Sequence, residues 1–144
     1  MIQDSDLQVF CAFFNKLDKT CTKNLDKVYS ADVTFDDPIH HFEGITALEA
    51  YYQSLYNNVT SCHFIFHQSQ RQGDDAFVTW TMKLVHPRLD SGKPIEVEGC
   101  SHLRFAADGR VAQQRDYFDV GAMIYERLPL LGRMVKGIKQ RLGR

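Results

Sequence analysis

Residues 95–119 read IEVEGCSHLRFAADGRVAQQRDYFD. Ile95, Val97, Gly99, Ser101, Leu103 and Phe105 alternate with Glu96, Glu98, His102 and Arg104, the period-two signature of a half-buried strand. Asp108-Gly109 is a hairpin turn signal, and residues 110–119 form the returning strand. If Asp108-Gly109 is a two-residue turn, Leu103 faces Gln114, Ser101 faces Asp116 and Gly99 faces Phe118. The apolar side of the first strand then carries Gln114, Asp116 and Phe118 inward with it.

Working outward, residues 62–69 and 76–86 form two further strands, with turns at Gly73-Asp74-Asp75 and Asp90-Ser91-Gly92. Upstream the texture is helical. Ser5-x-x-Gln8 is a capping-box pattern ahead of Leu7, Phe10, Phe13, Phe14 and Leu17. Asn24 to Tyr29 forms a short second helix that presents Leu25 and Val28. Val33 to Asp37 alternates as an early strand until Pro38 stops it. Thr46-x-x-Glu49 is a second capping box, opening a helix with Leu48, Tyr52, Leu55 and Val59 on one stripe. The order predicts an α+β fold, with helices on one face of a mostly antiparallel sheet.

The chain has 144 residues, 44% hydrophobic and 24% charged, as expected for one folded domain over residues 1–120 with a tail at 121–144. No run of about 18 apolar residues marks a membrane span. The start, Met-Ile-Gln-Asp-Ser-Asp, lacks a signal pattern, and Cys11, Cys21, Cys62 and Cys100 are scattered without a C-x-x-C pair. These features predict a cytoplasmic protein with reduced thiols. The net charge of −1 excludes nucleic-acid binding through the overall field.

Two inward acids carry the chemistry. Asp37 shares a strand face with Val33 and Phe35, where partial desolvation makes a carboxylate a better proton acceptor near neutral pH. The alternative is that Asp37 caps a turn before Pro38. Asp116, inward and opposite Ser101, is either poised for acid–base work or satisfied by Ser101 and a neighbouring Tyr or backbone N–H. His40, His41 and Glu43 match no common metal spacing. His63 and His67 lie about 13 Å apart along one strand, at 3.3 Å per residue, so no metal site is expected.

Together Tyr29-Ser-Ala-Asp-Val-Thr-Phe-Asp-Asp-Pro38, Arg104-Phe-Ala-Ala-Asp-Gly-Arg-Val111 and Arg115-Asp-Tyr-Phe-Asp119 resemble the SnoaL-like branch of the nuclear-transport-factor-2-like superfamily, over about residues 5 to 120. The resemblance implies a cone, a curved sheet around helices that leaves a deep apolar pocket. It implies that Asp37 matches the general base of ketosteroid isomerases. The Tyr and protonated Asp of the isomerase oxyanion hole correspond here to Phe10 and Ser101, so that pair is absent. Asp116 resembles the acid that polyketide cyclases place on the last strand. The expected activity is cofactor-independent proton transfer on a small apolar or carbonyl-containing molecule by Asp37 and Asp116, with Phe10, Phe14, Tyr52, Trp80, Ser101, Gln114 and Phe118 around it. The alternative is a non-catalytic ligand-binding or interaction module, a homodimer through the sheet.

Residues 126–144 carry Arg127, Arg133, Lys136, Lys139, Arg141 and Arg144 against Glu126 alone, a net of +5 beside −6 for the rest. Leu131, Met134, Val135, Ile138 and Leu142 repeat at helical spacing after Pro129. Such a stripe either packs on the domain or a second copy, or meets an anionic membrane surface or an acidic partner.

Overall fold

The computed structural model describes residues 2–18, 20, 22–123 and 129–143. Cys21, Glu126, Arg127 and Arg144 lie outside them. Helix α1 spans Ser5–Lys16 and buries Leu7, Phe10, Cys11 and Phe14. Its cap is Asp4, whose carboxylate accepts from Leu7 N–H at 3.1 Å, one residue ahead of the expected Ser5. Arg71 reaches both Asp4 and Asp6 from the sheet and lies 4.5 Å over the Phe105 ring.

The expected second helix is a 3-10 helix at Thr22–Lys27, and Tyr29 opens strand β1, Tyr29–Asp36. Val28 and Tyr29 are buried as strand-edge residues rather than as a helical stripe. Strand β2, His41–Glu43, was not foreseen; it folds back on β1 through the Pro38 turn, pairing Asp36 with His41. Helix α2, Ile45–Asn58, starts from Gly44 at φ 86, with no side-chain cap, so the Thr46 capping box does not form. Gly44 can enter the helix from the left-handed region, and its N–H is tied to Val33 O at 2.7 Å. Buried Leu48, Tyr52 and Tyr56 line the inner face of α2.

Strands β3 (Ser61–Gln72), β4 (Asp75–Val85), β5 (Ile95–Phe105) and β6 (Val111–Phe118) complete a six-stranded sheet. Its order is β2-β1-β6-β5-β4-β3. All neighbours are antiparallel except β1 and β6, so the first and last strands meet side by side in parallel. A bulge between Phe66 and Ser69 interrupts the β3–β4 ladder and adds twist to that edge. The core fills the space between the inner face of this curved, unclosed sheet and helices α1 and α2. This is the α+β arrangement expected of the sequence.

The β5–β6 hairpin has the expected pairs, Leu103 with Gln114, Ser101 with Asp116 and Gly99 with Phe118, but a different turn. Ala106 N–H bonds Arg110 O and Gly109 N–H bonds Ala106 O, which makes a three-residue loop with Gly109 at φ 86. A register shift between Arg104 and Phe105 then restores the alignment. After β6 come a short helix α3, Val120–Met123, and a helix α4, Pro129–Leu142.

Candidate functional site

The cone holds a cavity of about 500 Å³. Phe10 and Phe14 reach it from α1, Tyr51 and Tyr52 from α2, Trp80 from β4 and Phe118 from β6. Ser101, Gln114, Asp116 and Asp37 lie inside that aromatic wall with His40 at its β1–β2 end, and Ser54, Asn58 and His86 also line the cavity. All nine residues singled out from the sequence therefore surround one space. Tyr51, His40 and Tyr29 were not singled out.

A hydrogen-bonded chain crosses the cavity floor. Tyr29 Oη donates to Gln114 Oε1 at 2.5 Å, so Gln114 Nε2 faces Asp116 and donates to its Oδ1 at 2.9 Å. Ser101 Oγ donates to the same Oδ1 at 2.6 Å, and Trp80 Nε1 donates to Ser101 Oγ at 2.9 Å. With its proton committed to Gln114, Tyr29 accepts from Tyr52 Oη at 3.3 Å. Among the described residues nothing hydrogen-bonds Asp116 Oδ2, and no sealed polar atom lacks a partner, so Oδ2 is the oxygen open to the cavity. Burial pushes the Asp116 carboxyl up to about 6; the bonds from Gln114 and Ser101 pull it down, and the charge of Asp37 adds to the rise.

Asp37 occupies both roles that its sequence position left open. Its carboxylate caps the Pro38 turn, accepting from Ile39 N–H at 2.9 Å and His40 N–H at 2.7 Å. It also lines the cavity, with a side chain only 4% exposed. His40 Nδ1 stands 3.1 Å from both carboxylate oxygens. A neutral ring donating there leaves Nε2 as an acceptor without a partner among the described residues. The imidazole is held between Phe42, stacked at 5.6 Å, and Tyr51 at 4.8 Å. Neighbouring His41 turns the other way, to Asp36 at 2.6 Å and Glu43 at 3.3 Å on the outside. The two adjacent rings point opposite ways at the start of β2, and His40 is the one that faces the cavity.

Among the described residues no three His, Cys, Asp or Glu side chains gather as a metal site. His67 instead bonds Thr81 Oγ1 at 2.8 Å on the outer face.

The model of the SnoaL-like domain matches residues 10–114. The chain belongs to the SnoaL-like family. A protein from Shewanella denitrificans, assigned as a SnoaL-like polyketide cyclase, superposes with a TM-score of 0.70 at 21% identity, covering 84% of this chain and 95% of that one. A ketosteroid-isomerase-like protein from Catenulispora acidiphila, solved with trimethylamine, superposes with a TM-score of 0.74 at 14% identity, covering 89% and 96%. An epoxide hydrolase of the LEH-like type from M. tuberculosis superposes at 0.62 with 18% identity, covering 82% and 83%. No curated protein matches the chain. At these identities the likeness is one of fold, and the names of the three neighbours do not agree on a chemistry.

Proposed function

We propose that this SnoaL-like protein binds a small, largely apolar carbonyl compound in its cone and moves a proton next to the carbonyl. The observation that carries this reading is the convergence of two carboxylates, Asp37 and Asp116, and the His40 imidazole inside an aromatic wall. Asp116 presents one free oxygen from a fixed carboxylate, and a carboxyl titrating at about 6 exchanges protons readily near neutrality. At the other side, Asp37 fixes the His40 tautomer and orientation, so the Asp37–His40 pair can take or return a proton. Enolisation followed by reprotonation, as in isomerisation or aldol-type cyclisation, needs these two proton-handling groups and a dry surface for the carbon skeleton.

The test is α-proton exchange into deuterated solvent on a panel of cyclic ketones, followed by NMR. Asp37→Asn and Asp116→Asn are each expected to slow exchange by about 10²- to 10⁴-fold. Folded variants that exchange as fast as the parent would overturn the assignment. Ligands that bind without any exchange would favour a binding module instead.

A second reading concerns assembly. The outer sheet face exposes Ile65, Phe77 and Tyr117, with Phe77 stacked on His102 at 4.4 Å. Such a patch supports pairing of two copies sheet to sheet, which leaves both cavities open. Phe77→Asp is expected to yield monomers in sedimentation; a parent that is already monomeric rules this out. The three described cysteines are unpaired, which supports a reducing compartment.

A further inference from the structure

Helix α4 is amphipathic: Gly132 is buried and Val135 half-buried, and the rest of its apolar side is open. Leu131, Met134, Ile138 and Leu142 recur at helical spacing and remain 40%, 59%, 56% and 82% exposed. Of the expected stripe, Val135 is the residue that is half-buried, and these four stay open. Lys139 forms an ion pair with Asp119, just past β6, a polar contact beside the stripe.

Charge decides what fits the stripe. Residues 129–143 contain Arg133, Lys136, Lys139 and Arg141 and no acidic residue. Lys139 and Arg141 flank the stripe on either side, while Arg133 and Lys136 lie on the far face of the helix. A second copy is a poor occupant. Two-fold pairing through this face sets cations against cations in either direction, with no carboxylate on the helix to answer them. An anionic lipid surface satisfies both features at once. Leu131, Met134, Ile138 and Leu142 enter the acyl boundary, while the flanking Arg141 stem extends to headgroup phosphates. Fourteen residues rise about 21 Å, too short to cross a hydrocarbon core of about 30 Å. We infer that α4 is an interfacial helix that docks the protein reversibly, lying flat, on an anionic membrane surface.

This inference is independent of the chemistry in the cone and predicts a site for lipid, not for substrate. The test is flotation of the full chain with vesicles of phosphatidylglycerol and phosphatidylcholine, against vesicles of phosphatidylcholine alone. The full chain is expected to float with the anionic vesicles only, and to be released by raised salt. Arg141→Glu is expected to lower apparent affinity about five-fold for the lost charge, and more for the reversal. Ile138→Glu with Met134→Glu is expected to abolish binding. The near-ultraviolet dichroism of Trp80 verifies in each variant that the domain is folded. The inference fails if the folded parent ignores anionic vesicles at low salt, if it floats equally with neutral ones, or if the two Glu substitutions leave flotation unchanged. It also fails if the stripe instead holds a dimer, dispersed by Ile138→Glu, that shows no vesicle binding.

Discussion

Tyr29 decides which end of the Gln114 side chain meets Asp116. By donating to Gln114 Oε1 at 2.5 Å it leaves only the amide nitrogen for the carboxylate, although 85 residues separate the two in sequence. Tyr29→Phe removes that lock. The Gln114 amide can then turn its oxygen toward Asp116, and the carboxylate loses a donor. The Asp116 carboxyl is expected to titrate above about 6, followed by carbon NMR of the side chain. Stability is expected to fall by about 1–3 kcal/mol, since buried partners are left unsatisfied. An unmoved titration would show that Gln114 is held by other means.

Asp116 also sets a pH dependence of folding. Its carboxyl is raised from 3.8 to about 6 in the fold, chiefly by burial, so the native state holds a proton that the unfolded chain has released. Stability from this group is full below pH about 4 and is lost as pH rises through about 6, on the order of 3 kcal/mol. Asp116→Asn keeps an oxygen for both donors and carries no charge. Denaturation between pH 4 and 7 is expected to show the variant losing less stability than the parent across that range, ending more stable at neutrality. A parent and variant with parallel pH curves would contradict the burial cost.

Gly99 and Trp80 are cross-strand partners, and the indole lies where a side chain on Gly99 would be. A Cβ at Gly99 would stand 2.3 Å from the ring. Gly99→Ala is therefore expected to displace Trp80, break its bond to Ser101 and cost about 1–3 kcal/mol. Trp80 is the single tryptophan, so its fluorescence reports the shift directly. Unchanged emission and stability would mean that the strand, not the ring, gives way.

The Arg71 guanidinium joins β3 to the start of α1 through Asp4 and Asp6, with the Phe105 ring beneath it. All three charged side chains are partly exposed, so the ion pairs are screened. Arg71→Met retains the apolar stem and is expected to cost about 1 kcal/mol at low salt. The difference from the parent is expected to shrink as salt rises, in paired denaturation curves. A cost that ignores salt would assign the effect to packing alone.

Strand alternation was legible because one face of each strand is buried: Val33, Phe35 and Asp37 share a direction, and Ser101 shares one with Leu103. The hairpin pairs were legible for a less direct reason. The loop is one residue longer than Asp108-Gly109 implies, and the neighbouring register shift cancels the difference. Tyr29 was hidden because local propensity joined it to a helix, whereas its place is set by parallel pairing with β6, a contact that no short window contains. His40 was hidden by its neighbour. A His-His pair invites a search for metal ligands, and only the Pro38 turn reveals that one ring serves Asp37 and the other Asp36. The helix caps failed where Asp4 and Gly44, adjacent to the expected motifs, offered better geometry.

The parallel contact between β1 and β6 has a consequence for the order of assembly. Asp37 follows the first strand and Asp116 lies in the last, and these two strands pair directly. During synthesis the helices and the β3–β5 meander can form while β1 still waits for its neighbour. The two acids come to face one cavity only when the final strand is released and closes against the first. A chain halted before residue 111 would contain most of the aromatic wall and the Asp37–His40 pair, without Asp116 or its donor Gln114. Competence thus arrives in a single late step, as a property of the finished topology rather than of any segment.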